Sequence, residues 1–512
     1  MFPNNTDFES QFTFETAATP LPEQPPFHIL LLGDWCGTGS QIALSERRPV
    51  VVDRDNFDKT MKRLNVALEL DLKGDGKDLL SFQFSELDDF HPDNLFRQVS
   101  LFSELRDIRR RLSNSDSFND AARQVRSWFH LVDENITANN EVQPVLDDTP
   151  PIDSSNLLDL ILTQPSESAA SVQPQKIDNT ELGRLISKIV SPHLVKIDEN
   201  EQSKLLAAVD EATGELMRKI LHHPQFQALE SAWRGLYFLV RRLETDVDLK
   251  LFIFDISKVD LTDSLKSINN LTDSVIYRWL IRETIEMPGA QPFAVICGNY
   301  TFGLDVEDVA TLMRLGKLAS AADAPFISHI QPEMFGIKSF APNPIFSEIK
   351  FSESTTEGKL WTALRGVPES AFLGLSPMRV LARVPFGETT DSTETFSFEE
   401  FTDQIDHELY LWTNPSFVLS LLLAQSYRLY GWEMAQALKR DVEGLPMYIY
   451  RSDGETKTKP CAEIVLTENL SERFLEQGLM PLISFRDSDR VSLARFQAIS
   501  SPLKKLNGRW NQ

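Results

Sequence analysis

An α/β (α+β) fold is predicted, in two units of mixed sheets with packed helices joined by a polar linker. Three observations predict it. Short apolar runs closed by turn residues alternate with helical periodicities through most of the chain. A stretch dominated by Ser, Asn, Asp, Gln and Pro, residues 114–171, separates two segments of ordinary globular character. The chain is 512 residues long, 42% hydrophobic and 25% charged, enough to bury several cores. The expected boundaries are 1–113, 114–171 and 172–512.

In chain order, Phe8 to Thr16 sets Phe8, Ser10, Phe12 and Phe14 on alternate positions and reads as a strand ended by the Pro-rich Pro20 to Pro26. His28 to Leu32 is a short apolar run closed by Gly33 and Asp34, a buried strand. Asp53 to Leu64 carries helix spacing, with Phe57, Met61 and Leu64 on one face. Val66 to Leu72 and Leu79 to Phe84 flank Lys73-Gly74-Asp75-Gly76 and predict a hairpin. A helical region from Pro92 to Leu112 ends in Arg109, Arg110 and Arg111, cations suited to a solvated helix C-terminus.

Within the linker, Leu157 to Leu162 is an apolar island that reads as a short amphipathic helix. The second unit opens with a helical region from Thr180 to Leu243, broken at Pro192 and Pro224. After Pro224, Phe226, Leu229, Trp233, Leu236, Tyr237 and Val240 form one helix face. Strands at Leu249 to Asp255, Phe293 to Cys297 and Phe326 to His329 then alternate with helices at Val275 to Glu286 and Val306 to Ala322. A last long helix is expected from Pro415 to Leu438.

The chain carries 51 Lys and Arg against 75 Asp and Glu, a net charge of −24. The excess is −11 over residues 1–150 and −13 over the remainder, so acidity is spread throughout. Phosphate recognition needs clustered cations, which argues against nucleic acid, and an anionic membrane surface is disfavoured for the same reason. The opening residues lack the basic start and apolar run of a signal peptide, and Phe417 to Ala424 is too short to span a bilayer. A soluble, cytoplasmic protein is expected. Cys36, Cys297 and Cys461 fit no metal or disulfide spacing and read as core thiols.

No catalytic, metal or cofactor residue is expected. Gly33, Gly37 and Gly39 follow a strand but match no phosphate-loop spacing. Asp71, Asp75 and Gly76 begin like a calcium loop, yet Lys73 and Phe82 occupy ligand positions, leaving a hairpin turn. His222 and His223 are adjacent, about 100° apart on a helix, so one metal could not easily take both. The absence of a catalytic signal favours a binding or structural role.

Two stretches resemble the sheath subunits of the bacterial type VI secretion system. Residues 27–112 are similar to the small subunit, through Phe27 to Asp34, Arg48-Pro49, the phrase Asp53, Arg54, Asp55, Asn56, Phe57, Asp58, and the phrase Leu87, Asp88, Asp89, Phe90 with Pro92. Residues 205–503 are similar to the large subunit. The strongest phrase runs from Ile220 to Leu236 and contains Phe226, Trp233 and Arg234, and Arg383 to Gly387, Leu411 to Asn414, Val442 to Pro446 and Glu463 to Glu468 follow in order. The chain thus looks like both subunits fused through the linker.

The resemblance implies a sheath protomer that self-associates or joins other sheath subunits around an inner-tube protein above a baseplate. It also implies neighbours stitched by donated strands and contraction that ejects the tube. An AAA+ unfoldase would then grip a helix such as Leu157 to Leu162. Besides the residues just named, Phe12, Phe14, Leu157 and Leu160 are interface candidates. In the family a further helical and strand region follows the segment ending at Lys505, whereas this sequence stops at Gln512. The alternative that follows is a non-polymerising accessory: a baseplate adaptor, cap or regulator.

Overall fold

The computed structural model describes residues 24–38, 40, 42–72, 79–126, 199–266, 270–332, 336–337, 340, 351–402, 406–452 and 454–511. The expected strand with Phe12 and Phe14, the turn with Asp75 and Gly76, the island with Leu157 and Leu160, and the break at Pro192 lie outside the described residues.

The N-terminal portion supplies β1 (Phe27–Gly33), β2 (Val50–Val52), α1 (Phe57–Leu64), and the antiparallel pair β3 (Ala67–Asp71) and β4 (Leu79–Gln83). Where one helical region was expected there are two helices, α2 (Pro92–Gln98) and α3 (Ser100–Ser113). They part at Val99, which is extended at φ −85° and ψ 127°. The helix α4 over residues 118–126 follows, and it buries Phe118, Ala121, Ala122 and Val125, so the polar stretch from 114 begins with ordered, packed chain.

From residue 199 come α5 (Glu199–Leu221) and α6 (Pro224–Arg242), broken at the expected proline. They are followed by β5 (Leu249–Asp255), α7 (Lys258–Lys266), β6 (Phe293–Phe302), α8 (Val306–Ala322), β7 (Phe326–Ile330), α9 (Thr356–Gly366) and β8 (Leu373–Ser376). The helix expected over Val275 to Glu286 is instead one α-turn, Val275–Tyr277, running into a wide turn over Arg278–Arg282. There Glu283 N bonds to Arg278 O and Glu286 N to Ile281 O, each five residues back.

The order of the principal sheet is β2-β5-β1-β6-β7-β8. Strand β1 is parallel to β5 on one side and to β6 on the other, and only the edge strand β2 runs antiparallel. All seven residues of β1 are buried, as a strand covered on both faces requires. The two portions of sequence therefore build one sheet, with a strand of the first inserted between two strands of the second.

After β9 (Val380–Leu381) and its antiparallel partner β10 (Trp412–Thr413) comes α10 (Pro415–Tyr430), which packs on β1, β6, β7 and α6. Eleven of its sixteen residues are buried, which explains its apolar character all round. It ends eight residues before the expected Leu438, because Gly431 turns the chain at φ 56° into a tight turn over Gly431–Gln436. Gly235 on α6 lets the two helices close, since a Cβ there would meet the Phe417 ring at 2.5 Å. Completing the chain are β11 (Asp441–Val442), the hairpin β12 (Tyr448–Ser452) and β13 (Glu455–Lys459), α11 (Glu468–Glu476), β14 (Leu482–Ser484) and β15 (Val491–Leu493). The three cysteines are free and buried, as expected of core thiols. No helix among the described residues is long and apolar enough to cross a membrane.

Candidate functional site at the seam between the two portions

Residues singled out in the sequence converge where the first portion enters the second. Beyond β1, the backbone N–H groups of Trp35 and Cys36 donate to Asp255 Oδ1 at 2.9 and 3.2 Å, at the end of the neighbouring β5. Trp233 Nε1 donates to the Trp35 carbonyl at 3.1 Å, and the two indoles meet edge to face at 5.6 Å. Phe57 stands perpendicular to the Trp233 ring at 5.5 Å. Both tryptophans are fully buried, so the polar end of Trp233 is satisfied across the seam while its body fills the core.

The phrase around residue 53 is a lock on a turn. Asp53 Oδ1 accepts from the N–H groups of Asp55 and Asn56, and Asn56 Oδ1 accepts from Asp53 N, each at 3.0 Å. This sets the start of α1 and aims Phe57 inward. Arg54 Nη2 reaches across to the Arg241 carbonyl in the last turn of α6 at 3.0 Å, where a cation is favourable. In the second phrase, Asp89 Oδ2 accepts from Ser85 N and Glu86 N at 2.6 and 3.1 Å, and the Asp88 carbonyl accepts from Asn94 Nδ2 at 2.7 Å. Phe90 then stacks on Phe84 at 4.1 Å and meets Phe226 edge-on at 5.7 Å. Leu87 lines a cavity of about 320 Å³ together with Arg234 and Tyr237 of α6. These polar residues fix turns, and these aromatic ones fill the seam.

Within the second portion, beside the seam, lies charge chemistry that was not visible in the sequence. Arg383 lies between two buried carboxylates. Its Nε and Nη2 donate to Glu230 at 2.8 and 3.3 Å, and its Nη1 and Nη2 donate to Glu400 at 2.7 and 3.2 Å. Arg234 Nε also donates to Glu230, at 2.7 Å, and Phe386 N to Glu400, at 2.8 Å. Burial pushes the Glu400 carboxyl up, but Arg383 and His222 outweigh it and hold it at about 2. The adjacent histidines go to different partners. His222 stacks on Phe401 beside Glu400, whereas His223 caps α6 by accepting from Gln225 N. The arm that carries Glu400 is pinned to the first portion by Asp93, which accepts from Glu394 N and Thr395 N at 2.9 and 3.0 Å.

A second cluster joins β9 to the β12–β13 hairpin. Arg379 holds Glu463 through Nε and Nη2 at 3.0 and 2.7 Å, His407 Nε2 lies 3.2 Å from the same carboxylate, and Lys459 Nζ lies 2.7 Å from His407 Nδ1. An ammonium can only donate, so Nδ1 accepts and the Nε2–H faces Glu463. Burial pushes Glu463 up, but Arg379 and His407 outweigh it and hold the carboxyl at about 2. Among the described residues no group of three His, Cys, Asp or Glu side chains could hold a metal.

A pH dependence follows. Burial, with Arg379 second, lowers the His329 imidazole to about 4, and burial with Lys250 lowers His28 to about 4. Unfolded histidine titrates near 6.5, so between pH 6.5 and 4 the unfolded chain binds more protons and stability falls as the pH falls. Asp34, raised to about 6 mainly by burial, acts in the opposite sense over pH 6 to 4. The urea midpoint is expected to drop from pH 7 to pH 5, and to drop less in His329→Asn. An equal drop in both proteins would remove His329 from the account.

Set against known proteins, residues 203–500 match the VipB family model, described as a tail sheath N-terminal domain. Residues 11–146 match the VipA model of type VI secretion systems. The chain is 33% identical over 304 residues to the type VI secretion system sheath protein TssC1 of Pseudomonas aeruginosa, covering 58% of this chain and 61% of that protein. It is 29% identical over 103 residues to sheath protein TssB1 of the same organism, covering 19% of this chain and 60% of that protein. The chain thus spans about three fifths of the length of each curated relative it matches.

Proposed function

Because the chain belongs to the tail-sheath family of type VI secretion systems, with small-subunit and large-subunit sequence in one polypeptide, we propose that it is a pre-paired protomer of the contractile sheath. In this reading it assembles in the cytoplasm with further sheath subunits around an inner-tube protein, on a baseplate. Contraction of the assembled sheath drives the tube outward, and an AAA+ unfoldase recovers the contracted subunits. The role is structural and not catalytic.

The observation that carries the reading is the place of β1. It is hydrogen-bonded to β5 and β6 along its length, so the small-subunit portion is a central part of the large-subunit sheet. Joining both in one chain makes that pairing intramolecular, at roughly millimolar effective concentration, and fixes a 1:1 ratio. The charged clusters beside the seam support a structural role, because Arg383 and Arg379 spend guanidinium donors on buried carboxylates. A rigid unit of this kind suits a helical lattice in which contraction moves whole protomers about their contacts.

The test is electron microscopy of the purified full chain, alone and with inner-tube protein. Helical tubes with a lumen that accepts the inner tube are expected. Monodisperse particles under every assembly condition would overturn the polymer reading in favour of the accessory role.

A further inference from the structure

A cleft of about 610 Å³ opens beside the turn Gly431–Gln436, between Leu438 and the segment from Arg495 to Asn511. In a chain of net charge −24 it is lined by Arg440, Arg495, Lys504 and Lys505, and no carboxylate is among its lining residues. Among the described residues, Arg495, Lys504 and Lys505 make no ion pair. Its floor is apolar, from Phe496, Leu506 and Trp510, and Leu503 is exposed at its rim. A cationic rim over an apolar floor fits an extended segment that is both acidic and aromatic.

One such segment begins at this corner. Trp432 Nε1 donates to the Pro25 carbonyl at 2.7 Å, and Phe27 packs against Trp432 and Trp510, the latter a lining residue of the cleft. The chain before this point, residues 1–23, carries Asp7, Glu9, Glu15 and Glu23 with no Lys or Arg, together with Phe2, Phe8, Phe12 and Phe14. Ala435 and Gln436, which line the cleft, lie one tight turn beyond Trp432, about 8 Å along a 3₁₀ rise. Twenty-three residues can span many times that distance.

We propose that residues 1–23 dock into the basic cleft of their own chain. The carboxylates meet the four cations at the rim, and the phenylalanines cover the apolar floor. The docked segment shields a run of alternating aromatics that would otherwise be open to pairing with other chains. The proposal does not depend on whether the chain polymerises.

Glu-C protease tests it, because Glu9, Glu15 and Glu23 are its only sites in the segment and mass spectrometry reads each cut on the full-length chain. At low salt, cleavage at Glu9 and Glu15 is expected to be about tenfold slower in the native protein than in Arg495→Glu/Lys504→Glu/Lys505→Glu, the scale of several exposed charge pairs acting together. Salt at about 0.5 M should abolish the difference by screening, with a synthetic peptide of residues 1–23 correcting for the protease's own salt response. The salt arm on the native protein stands alone should the variant fold poorly. Equal rates in both proteins at low salt, or no salt effect on the native chain, would overturn the proposal. Protection that disappears on dilution would also overturn it, because the occupant would then be a second copy.

Discussion

Replacing Arg383 with Met is expected to destabilise the protein by about 3–5 kcal/mol, the cost of leaving buried carboxylates without their cation. Arg383 is 7% exposed, and Glu230 and Glu400 are 0% and 1% exposed. Removal of the guanidinium takes away four hydrogen bonds to the two carboxylates at once and leaves the two anions with Arg234, His222 and the Phe386 amide beside them. The measurement is a urea titration at pH 7 with the slope held common to both proteins. Adding Glu230→Gln and Glu400→Gln to the Arg383→Met background should recover much of the loss, because the penalty lies in the uncompensated charges rather than in the missing pair. A single variant within about 1 kcal/mol of the native protein would show that water reaches the cluster.

Leu31→Ala, in the middle of β1, is expected to cost about 2–5 kcal/mol, as for other large core truncations. More telling is where the loss is felt. Leu31 is paired with Ile253 of β5 on one side and Cys297 of β6 on the other, so weakening β1 weakens both strands of the large-subunit portion. In native-state hydrogen exchange, amides of β1, β5 and β6 should lose protection together and by similar factors. If β1 exchanged faster while β6 kept its native protection, the two portions would be separately stable, and the case for a single fused protomer would weaken.

Much of the fold was legible because local sequence and local structure agree. The largely apolar run Phe27–Gly33 became a strand buried on both faces, and the spacing from Phe226 to Val240 became the buried face of α6. Differences arose where one residue or a tertiary contact overrode the period. Gly431 ended α10 early, Val99 divided a helical region, and the five-residue hydrogen bonds after Tyr277 opened a helix. The aromatic and Asp-rich phrases could be picked out as important. Their roles as turn locks and seam packing required knowing what stood opposite them. Glu230 and Arg234 stand at i and i+4 on α6, a spacing that by itself does not tell a surface pair from a buried one. Only the approach of Arg383, 153 positions away, shows the pair to be part of a buried network.

By itself the sequence determined that the chain is acidic throughout, that it is made of two portions resembling partner subunits, and which runs become strands and helices. The acidity and the elements rest on composition and short-range periodicity, and the resemblance rests on short phrases of residues, all of which a linear chain carries openly. The tertiary structure decided that β1 threads between β5 and β6, that Trp233 closes on Trp35 across nearly two hundred residues, and that two glutamates share one arginine in the core. Strand order, burial and charge pairing depend on which distant surfaces meet in the folded chain. The hydrogen bonds and desolvation that select those meetings exist only once they have occurred.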